Sequence, residues 1–331
     1  MLDLDMPEIG EGQILLAVGY AGICGTDLHA TREPDFGLEK GTVPGHEFSG
    51  VVSASRSDRI PVGARVVAFP IVACEACRPS GDCARNLGMA CARGSIVGLS
   101  RAHPGGFCEY VPLDAENAIV VDDALDMKLA ALAEPFAVAA HALRSAGSVA
   151  GRHVAILGGG PIGLAATMIA ADRGAAFVSL SEPTPARRGI AAAVGATLLL
   201  DPAADGSPGE MRRRQKAAHS APSIVLDCAG VRGSLAAGIE MVDPRGTVVV
   251  VGICSAQDAI QPAKAINKAI TVRFVLGYER EDFAAALDIL GRRPELAGRI
   301  ITDTIRLADA PETIFDPGER GRRGKIMVEF A

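Results

Sequence analysis

Residues 154–163 read VAILGGGPIG, and no other stretch says as much about the architecture of the chain. Four apolar residues predict a buried strand, after which Gly158, Gly160 and Gly163 match the G-x-G-x-x-G pattern of a dinucleotide-binding turn. In that pattern the first glycine allows a tight turn, the second admits a pyrophosphate, and the third lets the next helix pack closely. The helix N-terminus then faces the phosphates with its positive end. The cofactor-binding residues predicted here are Gly158, Gly160, Pro161, Ile162 and Gly163.

The choice of cofactor depends on Glu182, the acid that closes the next predicted strand. It follows the glycines by about 20 residues, where a carboxylate binds the ribose diol of the adenosine. Because a carboxylate there repels a 2′-phosphate, Glu182 favours NAD over NADP. Arg187 and Arg188 come soon afterwards and could attract a phosphate, but we expect them to cover the adenine or to solvate their helix. The alternative to a nucleotide site is a glycine-rich turn without a ligand.

The pattern around this motif predicts an α/β fold with two units. Strands and helices alternate after residue 131, which is typical of a parallel sheet with crossover helices. The first 130 residues instead contain short strand-like runs separated by glycine and proline, which predicts a β-rich module. We interpret residues 201–222 as a polar surface connection. The expected elements are strands over 14–18, 48–53, 64–69, 154–157, 176–180, 224–227, 247–252 and 325–330, and helices over 130–144, 186–194, 233–241 and 281–290.

Composition excludes several classes of function. The chain has 331 residues, 49% hydrophobic and 4% aromatic, with no tryptophan and a net charge of -6. The absence of a long basic stripe argues against a nucleic-acid partner. No apolar run of about 18 residues and no signal-peptide pattern is visible, so we expect no membrane span and a cytoplasmic location. In a reducing compartment clustered thiols indicate metal ligands and not disulfides.

Four closely spaced cysteines predict a closed metal site. Cys74, Cys77, Cys83 and Cys91 are separated by two, five and seven residues. Structural zinc takes four ligands in a tetrahedron and leaves no open position, and such a site stabilises a lobe that lacks a core of its own. The alternative is four unrelated buried thiols. We therefore predict a structural zinc.

A second group of residues predicts a mixed, open metal site. Cys24 begins the run CGTDLH at 24–29, and His46 and Glu47 lie in the run PGHE at 44–47. Both runs contain glycines that allow sharp turns. A further acid, Glu134, precedes a proline at the border between the two predicted units, where it can reach a cleft. Its alternative role is that of an acid at a helix start, stabilised by the helix dipole. Catalytic zinc keeps three protein ligands and one open position.

Together these motifs resemble the zinc-containing medium-chain alcohol dehydrogenases, and more closely their polyol, sorbitol and threonine dehydrogenase branch. The resemblance covers nearly the whole chain and also includes the run GGFCEY at 105–110. It implies a GroES-like catalytic domain over 1–130, to which 276–331 return, and a Rossmann domain with a doubly wound parallel sheet over 131–275. It also implies zinc, NAD, a secondary alcohol, polyol or amino alcohol as substrate, and a homodimer or homotetramer.

The resemblance assigns roles to single residues. Cys24 and His46 match catalytic zinc ligands, and the third protein ligand is either Glu134 or Glu47. Thr26 and His29 match the proton relay of the family.

Two departures from the family accompany these assignments. The third cysteine of the lobe comes three residues late, at Cys83, with Ser80 near the usual position. Relatives also carry an N-terminal β-hairpin before the stretch at which this sequence begins, so we expect either an upstream start or an enzyme without that hairpin.

Three alternative functions stay open at this point. One is an NADPH-dependent carbonyl reductase of the same family, against which Glu182 argues. Another is a zinc-free member similar to the quinone reductases. The third is a non-catalytic dinucleotide-binding sensor. The complete set of expected ligands and relay residues argues against the last two.

Overall fold

The computed structural model describes residues 2–32, 38–74, 91, 93–315 and 323–330. Most of its strands and helices belong to two extended sheets and their covering layers. The strands are β1 (Gln13–Gly22), β2 (Glu47–Ser55), β3 (Arg65–Ala68), β4 (Ile71–Val72), β5 (Ser95–Ile96), β6 (Tyr110–Asp114), β7 (Ala118–Val120), β8 (His153–Leu157), β9 (Phe177–Ser181), β10 (Leu198–Leu200), β11 (Ile224–Asp227), β12 (Thr247–Val250), β13 (Thr271–Phe274), β14 (Ile301–Arg306) and β15 (Lys325–Glu329).

The helices connect and cover these strands. Two single 3₁₀ turns, Ala115–Asn117 and Leu307–Asp309, supplement them. The α-helices are α1 (Gly25–Arg32), α2 (Met127–Ala130), α3 (Ala133–Ala146), α4 (Pro161–Asp172), α5 (Pro185–Ala193), α6 (Pro208–Ala218), α7 (Ser234–Met241), α8 (Pro262–Lys268), α9 (Arg280–Arg292), α10 (Pro294–Gly298) and α11 (Ala310–Phe315). Within the described ranges, none of these helices combines the length and apolar character that crossing a membrane requires.

The first sheet joins the two ends of the chain. Its order is β14-β15-β1-β2-β3-β7, and β6 also pairs with β1. β15 lies antiparallel to β1, with Gly22 opposite Met327. One face of this sheet is covered by an aliphatic cluster that includes Ile14, Leu16 and Phe48, all fully buried. The strands after residue 300 therefore complete a sheet that begins at residue 13.

The second sheet is parallel and has the order β10-β9-β8-β11-β12-β13. Numbered from β8, this is the 3-2-1-4-5-6 order of doubly wound dinucleotide-binding folds. From β8 the chain first adds strands on one side and then, with β11, on the other side. In such folds, ligands bind at this switch point, beyond the carboxyl ends of the strands. Continuous apolar strands, such as the fully buried β8, reflect helices on both faces. The predicted α/β fold class is confirmed.

One expectation about local structure differs in its bounds and another was wrong. The expected helix over 130–144 is α3, which begins at Ala133 and ends at Ala146, because the chain turns at 131–132 after the short α2. The supposed surface connection over 201–222 contains α6. This helix begins with a capping box between Ser207 and Glu210 and buries Met211 and Gln215, a pattern that the surrounding polar residues hide in the sequence.

Candidate active site

A sulfur, an imidazole and a carboxylate meet where the first two long strands pair. β1 ends at Gly22, which lies opposite Glu47 at the start of the antiparallel β2. Cys24 follows β1 and His46 precedes β2, so the strand pairing brings these distant sequence motifs together. One ligand atom each from Cys24, His46 and Glu47 lies within 4.8 Å of the others. Soft sulfur combined with nitrogen and oxygen is a donor set typical of zinc.

Asp27 supports this group, a role that our sequence analysis did not assign. Its Oδ2 accepts a hydrogen bond of 2.9 Å from the backbone N–H of Cys24. Its Oδ1 lies 3.5 Å from Nδ1 of His46, and both side chains are buried. Burial by itself would lower the pKa of His46, but Asp27 and Cys24 together raise it well above its ordinary value. In metal sites, a carboxylate that contacts a ligating histidine orients its ring. The sequence signal that could have identified Asp27 is its position three residues after Cys24.

Glu47 contacts a cation from the far end of the chain. Lys325 on β15 is 1% exposed, and its Nζ donates to Oε1 of Glu47 at 2.6 Å and also contacts Oε2. The same Nζ donates to the carbonyl oxygen of Ile23 at 3.0 Å. Burial would lower the pKa of Lys325, but Glu47, Cys24 and Glu134 together outweigh it and raise that pKa. Nothing near Lys325 in the sequence predicted this contact.

Glu134 borders the three ligand atoms. It lies in the first turn of α3 and is buried, and burial raises its pKa to about 7. His46 and Lys325 lower that pKa while Glu47 raises it, so Glu134 shares their electrostatic environment. Among the described residues, the cluster of possible metal ligands includes Glu47 and not Glu134.

Tyr278 closes the same side of the cleft. Its hydroxyl is buried and lies beside the carboxylate of Glu134. Burial, followed by the charge of Glu134, raises the pKa of this phenol well above its ordinary value. Its ring packs in an aromatic cluster with Phe69 and Phe283.

The expected relay residues lie on or beside α1. Oγ1 of Thr26 is 3.6 Å from Sγ of Cys24, so the hydroxyl borders the ligand group. His29 follows on the same helix, and both side chains are half-buried. The side chains therefore extend from a buried metal-binding group toward less buried positions.

The cysteine lobe is described only in part. Sγ of Cys74 lies 3.6 Å from Sγ of Cys91, although 17 positions separate them. Two sulfurs bound to one tetrahedral zinc at about 2.3 Å would be roughly 3.8 Å apart. Cys77 and Cys83 lie outside the described residues. The pair that is described therefore fits two corners of the predicted structural site.

The structure gives a different account of each of the three motif glycines. Gly158 has φ of 96°, and a Cβ there would lie 2.9 Å from Cα of Ala229. A Cβ on Gly163 would collide with the carbonyl oxygen of Gly158, so this glycine permits close packing of α4 on β8. A Cβ on Gly160 would meet nothing within 4 Å. The fold itself therefore requires two of the glycines, while Gly160 faces open space.

Pro161 and Ile162 begin the helix that follows these glycines. Pro161 occupies the first position of α4, where its missing N–H costs nothing, and Gly160 is the N-cap. Ile162 packs against the main apolar cluster of the parallel sheet.

Glu182 lies beside this glycine turn. Its Oε2 accepts a hydrogen bond of 2.7 Å from the N–H of Gly159, and its Oε1 accepts one of 2.9 Å from Thr184. Nη1 of Arg187 lies 3.9 Å from the same carboxylate, and Nε of Arg187 donates to the carbonyl oxygen of Arg323. Burial lowers the pKa of Arg187. The acid is thus fixed next to the phosphate-binding turn.

Comparison with known families matches both halves of the chain. The model described as the alcohol dehydrogenase GroES-like domain matches residues 10–123, and the model described as zinc-binding dehydrogenase matches residues 161–292. The matches fall on the region that carries Cys24, His46 and Glu47 and on the region of the parallel sheet.

Individual proteins are similar over almost the full length. L-galactonate-5-dehydrogenase of Escherichia coli (strain K12) is 31% identical over 313 residues, which are 93% of this chain and 89% of that protein. L-threonine 3-dehydrogenase of Streptomyces avermitilis is 30% identical over 339 residues, covering 100% and 95%. The crystal structure of a zinc-binding dehydrogenase from Sinorhizobium meliloti 1021, bound to NADP, is 30% identical with a TM-score of 0.89 and covers 99% of this chain and 94% of that one.

Proposed function

The chain belongs to the zinc-binding dehydrogenases with an alcohol dehydrogenase GroES-like domain, and from this premise we propose which residues carry its activity. The protein is a zinc-dependent oxidoreductase that transfers a hydride between an alcohol and a nicotinamide cofactor. The single observation that carries the site assignment is the convergence of Cys24, His46 and Glu47 within 4.8 Å. We propose these three as the ligands of the catalytic zinc, with Glu134 beside them.

Each side chain has a task that its position supports. Zinc at this centre supplies a Lewis acid, which makes a hydroxyl group more acidic. Thr26, next to Cys24, would accept the hydroxyl proton of the substrate, and His29 would pass it toward solvent. Asp27 would hold the His46 ring in place. Tyr278 and Glu134, two buried side chains that lie beside each other, would orient the substrate and exclude water.

We propose NAD as the preferred cofactor. Glu182 is held next to the glycine turn by two backbone N–H groups, so its charge stays where a 2′-phosphate would arrive. Arg187 is the counterargument, because it lies near that position and the similar Sinorhizobium protein binds NADP. Its Nε already donates to the carbonyl oxygen of Arg323, which leaves fewer of its donors for a phosphate.

The proposed substrate is a secondary alcohol, polyol or amino alcohol. This proposal rests on the relatives, whose names include a galactonate and a threonine dehydrogenase. Both named substrates carry hydroxyl groups on secondary carbons next to further polar groups. A cleft lined by Glu134, Thr26 and Tyr278 offers partners for such groups.

The proposed assembly is a homo-oligomer. β13 is an edge strand of the parallel sheet, and Phe274 at its end is 73% exposed. An edge with an apolar side chain favours pairing with another strand, and a second copy supplies one by symmetry. We further propose that 1–130 with 276–331 form the catalytic unit and 131–275 the nucleotide-binding unit, a division that the two sheets support.

One experiment tests this function. Purified protein is analysed for bound zinc, and reduction of NAD+ and NADP+ is followed with diols, sugar alcohols, sugar acids and threonine. We expect zinc, turnover of at least one secondary alcohol, and a higher kcat/KM for NAD+. Binding of NADH without turnover of any alcohol would instead favour a non-catalytic sensor.

A further inference from the structure

A buried ion pair between Glu47 and Lys325 is unexpected where Glu47 is also a possible metal ligand. Lys325 and Glu47 are each 1% exposed, and 278 positions separate them in the chain. A buried ion pair adds little stability over apolar residues of the same size, because desolvation offsets the attraction between the charges. Stability alone therefore does not account for a lysine at this position.

Lys325 and a bound metal compete for the same carboxylate. Nζ of Lys325 contacts both oxygens of Glu47, and one oxygen of Glu47 also belongs to the cluster with Cys24 and His46. A carboxylate already neutralised by an ammonium group is a weaker ligand for a dication, because part of its charge is compensated. Cys24 and His46 have no such competitor in contact with them among the described residues; Nδ1 of His46 faces a carboxylate instead.

The position of Lys325 is itself fixed. Its Nζ donates to the carbonyl oxygen of Ile23 at 3.0 Å, directly before Cys24, and its backbone lies in β15 against β1. Gly22 gives the side chains room, since a Cβ there would lie 3.0 Å from Cε of Lys325 and would collide with Glu47. The cation therefore cannot follow Glu47 if that carboxylate turns toward a metal ion.

We propose that Lys325 is a positioning residue that holds Glu47 as an exchangeable ligand of the catalytic zinc. With Lys325 present, Glu47 would leave the metal readily, which would add a second open coordination position through which substrate and product exchange. Without Lys325, Glu47 stays on the metal as a permanent third ligand. This inference rests on the proposed zinc-dependent function.

The test measures release of Zn²⁺ to a chelator and the visible spectrum of the Co²⁺-substituted protein. In Lys325→Met we expect release to be about tenfold slower or more, because the carboxylate of Glu47 then directs its full charge at the metal. We also expect a changed Co²⁺ spectrum without substrate and a lower kcat. Lys325→Arg keeps the charge, and its planar fork can bind both carboxylate oxygens. In this variant release should be equal to or faster than in the unmodified protein, with the spectrum restored.

Two further variants exclude a general packing effect. Lys325→Met combined with Glu47→Gln removes both charges, so the slow release should disappear. Lys268→Met serves as the matched control, because Nζ of Lys268 also donates to backbone carbonyl oxygens but lies on the nucleotide-binding side. It should change stability without changing metal release.

The outcomes separate this inference from the proposed function. Unchanged or faster release in folded Lys325→Met would overturn the positioning role, as would slower release in Lys325→Arg. If Lys325→Met does not fold, the Arg variant decides, because only faster or equal release agrees with the proposal. Absence of zinc and of turnover in the unmodified protein would overturn the proposed function itself.

Discussion

Two clusters of charged side chains in this protein differ in how many of their buried polar atoms have a hydrogen-bond partner. At the junction of α3 and α9, both oxygens of Asp282 accept hydrogen bonds: Oδ1 from Arg144, and Oδ2 from Arg144, His141 and the N–H of Glu279, all at 2.8–2.9 Å. Around Cys24, by contrast, Oδ1 of Asp27 and Nδ1 of His46 are buried without a hydrogen-bond partner among the described residues.

This difference in hydrogen bonding indicates different roles for the two clusters. A polar group that is buried and unpaired costs free energy, so natural proteins rarely keep one without a reason. The Asp282 cluster contains its own partners and joins two helices. The Cys24 cluster has donor atoms of the types that zinc prefers, and a cation among them would compensate its charges. The first cluster contains its own partners, and we propose that zinc completes the second.

The largest expected effect follows from removing the sulfur of the Cys24 cluster. In Cys24→Ala we expect loss of the catalytic zinc and a fall in turnover of about 10³-fold or more, because the Lewis acid supplies several kcal/mol. Metal analysis and NAD+ reduction measure these losses. NADH binding, followed by fluorescence, should persist because the glycine turn lies in the other sheet. Full activity in this variant would contradict the assigned metal site.

The matched change in the Asp282 cluster should affect stability and not metal content. Asp282→Asn removes a buried charge from Arg144 and His141, and we expect the free energy of unfolding to fall by about 2 to 3 kcal/mol. Urea unfolding measures this change. Turnover per folded molecule should stay close to that of the unmodified protein. Loss of zinc in Asp282→Asn would show that the two clusters are not independent.

Acid should reveal the same cluster in the unmodified protein. Burial alone would raise the pKa of Asp282, but hydrogen bonds from His141 and Arg144 hold it well below its ordinary value of 3.8. A carboxyl group with a lowered pKa stabilises the folded state above its unfolded pKa. That contribution is lost as pH falls below 3.8, and Asp282→Asn should lack this part of the acid dependence.

A smaller effect is expected for the residue behind the metal ligand. Asp27→Asn keeps the shape and an acceptor oxygen for the N–H of Cys24 but removes the charge that faces His46. We expect zinc affinity to fall by about 10- to 100-fold, the range for substitutions of groups that orient ligands. Competition with a chelator measures the affinity. Unchanged affinity would show that Asp27 serves only the local turn.

The smallest effect at neutral pH concerns a third buried group, which is satisfied and neutral. Nδ1 of His153 donates to the carbonyl oxygen of Ser220 at 2.7 Å, and Nε2 accepts from Ser179 at 2.8 Å. Burial lowers the pKa of His153 to about 4. Since the unfolded chain binds the proton first, stability should fall as pH decreases from 6.5 toward 4, by at most about 1.4 kcal/mol per pH unit. In His153→Gln this slope, measured by urea unfolding, should flatten.

Much of the fold was predictable because its signals are local. The glycine turn, the apolar strand before it and Glu182 lie within about 30 residues, the span of one βαβ unit. Strand 224–227 was predicted with the bounds that the structure has. Cys24 and His46 could also be paired in advance, because both lie in glycine-containing runs that resemble those of the family.

The remaining parts of the site depend on contacts between distant residues. Lys325 reaches Glu47 only because β15 returns to β1, and a lone lysine in a strand carries no signal of such a contact. Tyr278 lies beside Glu134 through the packing of α9 and α3. The choice between Glu47 and Glu134 as a ligand depends on distances of a few ångström, which spacing in the sequence does not encode.

The return of β15 also has a consequence for how the protein is made. During synthesis β1 leaves the ribosome early, whereas its neighbour β15 follows after the entire parallel sheet. One side of β1 at Tyr20–Gly22, directly before Cys24, therefore lacks its partner strand until residues 327–329 have been synthesised. The parallel sheet, continuous in the chain, can fold meanwhile, since domains generally fold as units during synthesis. Nascent chains halted before residue 325 should accordingly bind the nucleotide without a finished metal centre.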